Sequence, residues 1–175
     1  MAIEFLIFLT IFTPALVGGL NLFFDKNPNV RDYVTLLGAL LTFYFSANIF
    51  LGFDGQATQY KLATIMPGID ISFHIEPLGI VFSLLASGLW ILTHIYAIGY
   101  MRGAKEKNHS RFFFFFSVSI ASVMGISFSG NLFTLFLFYE ILTLITFPLV
   151  SHKGSNEALR GCLLYTSPSP RDRVL

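Results

Sequence analysis

Five long apolar segments dominate this chain and determine its fold class. They cover residues 2–24, 33–53, 77–100, 112–128 and 132–150, and polar connections separate them. A helix of about 20 apolar residues spans the roughly 30 Å hydrocarbon core of a bilayer. Only 12% of the residues are charged, whereas a soluble domain needs about 25%. The sequence therefore predicts an all-α integral membrane protein with about five transmembrane helices.

Lysine and arginine lie almost entirely on one side of this predicted membrane protein. The connections 25–32, 102–111 and 151–161 contain eight of them, and the alternate connections contain only Lys61. Cytoplasmic connections are enriched in Lys and Arg. We therefore expect the three basic connections to be cytoplasmic and the N-terminus to lie outside.

The long connection 54–76 carries a strand pattern. Apolar and polar residues alternate over 69–76, where the sequence reads IDISFHIE, and Pro67-Gly68 before it is a turn signal. The pattern predicts a short β-hairpin on the outer membrane face. An irregular loop is the alternative.

Several functional classes are excluded by composition. The formal net charge is +1 and no basic patch with interleaved aromatic residues occurs, so nucleic acid is not an expected partner. Cys162 is the only cysteine, and no glycine-rich nucleotide loop or catalytic triad pattern is present. We expect no catalytic residue, no cofactor and no metal site.

Glu140 is the residue that most suggests a function. It is the only acidic residue between Leu132 and Val150, near the middle of the fifth segment. An ionisable group at that depth is costly and is usually retained because it carries ions or protons. We expect Glu140 to take part in proton translocation. The structural alternative is a protonated acid that is hydrogen-bonded to another helix.

His94 lies in the third segment and is a second candidate for proton translocation. An imidazole titrates near physiological pH, which suits a proton relay. A lone histidine beside Thr93 and Tyr96 is equally well explained as an interhelical hydrogen-bond donor. The acids of the polar connections are expected to be solvent-exposed; they include Asp25, Asp32, Asp54, Asp70 and Glu157.

Small residues recur every four positions along the fourth segment. They are Ser117, Ala121, Gly125 and Ser129. Such a stripe lets another helix approach closely. We interpret it as a packing surface.

Residues 162–175 do not continue the membrane pattern. The segment CLLYTSPSPRDRVL contains two prolines and three charges, and proline inside a helix costs about 3 kcal/mol. Its first eleven residues resemble the translation of a sequencing adapter. We interpret 162–175 as adapter read-through and 1–161 as the amino-terminal transmembrane helices of a longer protein. A native C-terminus is the alternative.

The motifs in the second half of the chain resemble a known family. HIYAIGYM at 94–101, SRFF at 110–113 and SGNLFTLFLFYEILTL at 129–144 are similar to the antiporter-like proton-translocating subunits. The family includes Mrp-type sodium/proton antiporter subunits and the related subunits of complex I and membrane-bound hydrogenases. FPLVSHKG at 147–154 looks closest to the D-type branch of the Mrp antiporter subunits.

This resemblance implies a proton-conducting subunit of a multisubunit cation/proton antiporter in a prokaryotic plasma membrane. Glu140 matches a glutamate that pairs with a lysine of a later helix, beyond residue 161, and His94 matches a histidine of the third helix. The implied partners are the lipid bilayer, other membrane subunits and protons, with sodium as a second candidate ion. A subunit of a redox complex (NADH-quinone oxidoreductase or membrane-bound hydrogenase) and a structural membrane component without transport are the alternatives.

Overall fold

Five helices and one hairpin form the part of the chain that the computed structural model describes, residues 3–24, 27–55, 58–66, 69–103 and 108–151. The helices are α1 (Ile3–Phe23), α2 (Pro28–Gly52), α3 (Pro77–Gly103), α4 (His109–Ser127) and α5 (Leu132–Val150); the strands are β1 (Thr58–Met66) and β2 (Ile69–Ile75). All five helices are long and apolar enough to cross a membrane. The predicted all-α membrane fold with five transmembrane helices is confirmed.

The helix boundaries differ from the prediction mainly at the polar ends. α5 covers the predicted residues, whereas α2 begins at Pro28 rather than at residue 33. Proline suits the first helical position because its missing N–H has no intrahelical partner there anyway. Arg31 and Asp32 then enter the helix as a mutually neutralised pair. Residues 28–32 are polar and therefore resemble a loop in the sequence, but they already belong to α2.

Four helices form a ring, and the fifth lies outside it. α1 packs against α2 and α4, and α3 packs against the same two helices. α5 packs on α4 and on β2. α4 is consequently covered by α1, α3 and α5.

Small residues of α4 permit these close contacts. A Cβ atom added to Gly18 of α1 would lie 3.2 Å from the Ser117 Cβ atom, and one added to Gly125 would overlap the Phe138 ring of α5. Ser117, Ala121 and Gly125 are buried. The prediction that this stripe admits neighbouring helices is confirmed at these two contacts.

The hairpin covers one end of the helical ring. Its strands pair antiparallel, and Phe73 and Ile75 of β2 are buried. The Ser72 N–H donates to the Thr134 hydroxyl at 3.0 Å, and the His74 N–H donates to the Phe128 carbonyl at 2.8 Å. These bonds attach β2 to the end of α4 and to the first turn of α5. The predicted hairpin is confirmed, and its place on the outer face stays a prediction.

The hairpin end of the molecule contains the apolar core cluster, and the opposite end contains a cluster of charges that links helices. The apolar cluster joins residues from the hairpin and four helices: Leu6, Ile7, Ile11, Ile49, Phe73, Ile75, Ile80, Met124 and Phe128. At the other end, the first turns of α2 and α4 meet the last turn of α3 around buried polar groups. The ionisable groups that link different helices are therefore gathered at this charged end.

Candidate functional site

Glu140 lies near the middle of α5. The helix is started by Asn131, whose side-chain oxygen accepts a 2.7 Å hydrogen bond from the Thr134 N–H. Glu140 follows Leu132 by eight residues, so it lies about 12 Å along the helix at a rise of 1.5 Å per residue. Its position along the helix agrees with the expectation from sequence.

The side chain of Glu140 is exposed and makes no hydrogen bond or ion pair with any residue that the structure describes. Only its backbone carbonyl is engaged, since it accepts a 2.8 Å bond from the Thr143 hydroxyl. Thr134 is the single buried residue of α5. The face with Glu140 therefore has no covering element among the described ranges.

His94 is fully buried between α2, α3 and α4. Its Nε2 atom lies 3.2 Å from the backbone carbonyl oxygen of Asp32, and its ring meets the Phe113 ring edge-on at 5.0 Å. A carbonyl only accepts, so Nε2 carries the proton in this contact. The Nδ1 atom is buried without a partner among the described residues.

The interhelical hydrogen bond expected as one alternative for His94 is therefore present. Its relay role stays a prediction. Residues 94 and 140 lie on α3 and α5, which α4 separates, and no hydrogen bond or ion pair in the described chain joins them. The structure does not bring the two candidate residues together.

Two arginines and one aspartate form a partly buried charge cluster beside His94. Asp32 accepts from Arg31 through Oδ1 at 2.9 Å and from Arg102 through Oδ2 at 2.5 Å. Arg31 also donates to the Ser110 hydroxyl at 3.3 Å and lies over the Phe113 ring at 5.1 Å. The cluster thus joins α2, α3 and α4.

The expectation that Asp32 is solvent-exposed is wrong. Its side chain is only 7% exposed, because two guanidinium groups replace the water that would otherwise solvate it. The cluster was missed from sequence because Asp32 lies in a stretch that is polar enough to resemble a connection. The signal that could have revealed it is Pro28 at a helix start, followed by an adjacent Arg-Asp pair.

The hairpin carries a second ion pair at the opposite end. The Lys61 ammonium lies 2.6 Å from the Asp70 carboxylate. The hydrogen bond from Lys61, followed by one from Thr64, holds the pKa of Asp70 below its ordinary value of 3.8. Asp70 therefore stays ionised at neutral pH.

A metal site has no support among the described residues. No group of three or more His, Cys, Asp or Glu side chains in these ranges could hold a metal ion. The polar groups that link different helices in the described chain form ion pairs and hydrogen bonds.

Comparison with protein families gives one match within the chain. Residues 66–113 match the family described as NADH-ubiquinone oxidoreductase (complex I), chain 5 N-terminus. The matched range includes all of β2, all of α3 and the first turn of α4. His94 lies inside it and Glu140 lies outside it.

Two curated bacterial relatives cover more of the chain. The putative antiporter subunit mnhA2 of Staphylococcus haemolyticus is 29% identical over 140 residues, which are 78% of this chain and 17% of that protein. The Na(+)/H(+) antiporter subunit A1 of the same organism is 30% identical over 130 residues, which are 73% of this chain and 16% of that protein. Both are A-type subunits, so the expected assignment to the D-type branch is not confirmed.

A solved archaeal complex has the same fold. A chain of the membrane-bound sulfane sulfur reductase, an archaeal respiratory membrane complex, superposes with a TM-score of 0.74 at 18% identity. The match covers 90% of this chain and 24% of that chain.

The chain thus spans less than a quarter of the length of these relatives. The five apolar helices and the bacterial relatives support a multi-pass plasma-membrane protein. The family match, the two antiporter relatives and the shared fold agree with one another. The chain belongs to the family of antiporter-like membrane subunits.

Proposed function

We propose that the chain forms the amino-terminal helices of a proton-translocating subunit of a multisubunit cation/proton antiporter, with Glu140 as a proton-exchanging group. The observation that carries this proposal is a carboxyl group in the middle of a spanning helix that has no partner among the described residues, on a face that no described element covers. The names of the two Staphylococcus haemolyticus relatives support antiport as the activity.

The position of Glu140 makes its charge depend on its surroundings. In hydrocarbon an isolated carboxylate is costly, so Glu140 binds a proton when no cation is near. A cation that approaches stabilises the carboxylate and releases the proton. The resemblance implies that this cation is a lysine of a later helix, with other membrane subunits as partners and protons or sodium as the transported ions.

His94 is proposed as a second proton-exchanging group. Its Nε2–H already donates to the Asp32 carbonyl, and the lone pair of its buried Nδ1 atom has no partner among the described residues. A proton can therefore bind at Nδ1 without breaking the bond at Nε2. The charge cluster fixes Asp32 of α2, and the backbone carbonyl of Asp32 holds the His94 ring in place.

Transport by a full-length relative with a glutamate at the position of Glu140 tests this function. Replacing that residue with glutamine keeps its size and polarity but removes the titrating proton, so we expect most proton-coupled cation transport in inverted vesicles to be lost. Replacement by aspartate should retain part of it. The matched control is Glu→Gln at the position of Glu76, an exposed acid outside the helices, which should transport normally. Near-normal antiport by the first variant would refute the role and favour a structural component.

A subunit of a redox-driven complex is the second candidate function. The family match to complex I chain 5 and the fold shared with an archaeal respiratory complex favour it. Affinity purification of the native complex discriminates the two candidates. Co-purified small antiporter subunits would support the antiporter, whereas quinone- or nickel-binding subunits would support the redox complex.

A further inference from the structure

A groove between α2 and α3 opens beside the charge cluster. Its lining consists of Asn29, Asp32, Tyr33, Leu36, Ile98 and Arg102, and its volume is about 220 Å³. We call it the α2–α3 groove. It lies where α2 begins and α3 ends, at the end of the molecule opposite the hairpin.

Arg102 gives this groove its charge and its unused hydrogen-bond donors. The side chain is 46% exposed, and its Nη2 atom donates to Asp32 at 2.5 Å and to Asn29 at 2.9 Å. A guanidinium has five N–H donors. The three on Nε and Nη1 therefore have no partner among the described residues. Arg31, Asp32 and Arg102 together carry one net positive charge, which complements an anion.

The groove changes from charged to apolar along the helices. Ile98 precedes Arg102 by four residues on α3, and Leu36 follows Asp32 by four residues on α2. Both lie one helical turn farther from the charged end. Tyr33, 69% exposed, stands at the rim, and tyrosine is enriched at the membrane interface. A cation at the helix ends above an apolar slot matches a lipid in a bilayer, whose phosphate lies above its acyl chains.

We propose that the α2–α3 groove binds an anionic phospholipid, with its phosphate on Arg102 and an acyl chain against Leu36 and Ile98. Basic pockets between transmembrane helices recognise such headgroups. This inference is independent of Glu140 and of the transport proposal. It assigns Arg102 a ligand in addition to its structural bond to Asp32.

Native mass spectrometry of the purified chain, titrated with phosphatidylglycerol and with phosphatidylcholine, tests this proposal. One basic side chain near an anionic headgroup contributes about 1 kcal/mol, so we expect wild type to prefer phosphatidylglycerol by about fivefold. Arg102→Gln should remove the preference. Arg111→Gln is the matched control, because it removes an exposed charge in the first turn of α4 outside the groove, and it should keep the preference.

A second variant separates lipid binding from folding. Ile98→Trp fills the apolar slot without changing charge, and it should reduce bound phosphatidylglycerol and phosphatidylcholine alike while helical circular dichroism is unchanged. Four results would overturn the proposal: no preference in wild type, an unchanged preference in Arg102→Gln, an equal loss in Arg111→Gln, or unchanged lipid binding in Ile98→Trp. Displacement of the lipid by inorganic phosphate would also contradict it, because the site would then take a free anion.

Discussion

Two neighbouring cations allow the charged side chain of Asp32 to be buried. Its carboxylate accepts from Arg31 and Arg102, and its backbone carbonyl lies at His94 Nε2. Removing one partner of a buried ion pair leaves the other charge uncompensated, which costs more than the pair itself contributes. Asp32 therefore determines both the stability of this end of the molecule and the orientation of the His94 ring.

Asp32→Asn should destabilise the chain strongly, because Arg31 is buried and would lose its counter-ion. We expect a loss of about 3 kcal/mol in the free energy of unfolding. Titration with SDS, followed by the helical circular dichroism signal, measures it. Glu4→Gln is the control, since Glu4 is exposed in the first turn of α1 and should contribute less than about 1 kcal/mol. Equal losses in the two variants would contradict the role of the cluster.

At the same scale, the position of Glu140 along its helix could be predicted from sequence, but its surroundings could not. Its position within 132–150 follows from counting apolar residues, and the structure agrees. The absence of a partner on its side of α5, among the described residues, depends on how the helices pack, which hydropathy does not encode. The surroundings of His94 could not be predicted for a different reason: its contact with the Asp32 carbonyl joins residues 62 positions apart.

At the scale of helices and strands, the predictions were best where local sequence signals determine the structure. The boundaries of α5 follow from the polar turn SGN before it and the N-cap at Asn131. The alternation over 69–75 predicted β2 because one face of the strand packs on apolar helices. Ser72 departs from this pattern: it is polar yet buried, since the α4–α5 turn hydrogen-bonds to that face. Packing between distant segments therefore explains the deviation.

The contact between α4 and α5 depends on the lack of a side chain at Gly125. Gly125→Ala would place a methyl group against the Phe138 ring, and overpacking of this kind costs about 1–3 kcal/mol. We expect a loss of that size in SDS unfolding and its partial recovery in the double variant with Phe138→Leu.

Gly99→Ala is the matched control for this contact, because nothing lies within 4 Å of a Cβ atom there. Alanine is the better helix former, so this change should be neutral or stabilising by up to about 1 kcal/mol. A destabilisation at Gly99 as large as that at Gly125 would show that the helix contact is not the cause.

At the scale of the whole molecule, the orientation in the membrane is a prediction from charge. The number of spans and the hairpin agree with the structure, whereas the side of each end follows only from the positive-inside rule. The hairpin and the start of α4 lie at opposite ends of the helices. Labels at these two places should therefore report opposite sides.

Cysteine labelling in intact cells tests this orientation. With Cys162 replaced by serine, Gln59→Cys in β1 should react with a membrane-impermeant maleimide. Asn108→Cys, at the start of α4, should react only after permeabilisation. The reverse labelling pattern would show that the orientation is opposite to the predicted one. Reaction of both cysteines in intact cells would contradict an odd number of spans between the two sites.

The central claim, that Glu140 itself gains and loses a proton inside the membrane, can be tested by observing the carboxyl group. Infrared difference spectroscopy on a reconstituted full-length relative, with a glutamate at that position, detects this proton directly through the carboxyl C=O stretch. We expect a protonated-carboxyl band that changes when a sodium or proton gradient is imposed and that is absent from the Glu→Gln variant. A gradient-dependent band that persists unchanged in the variant would contradict the claim.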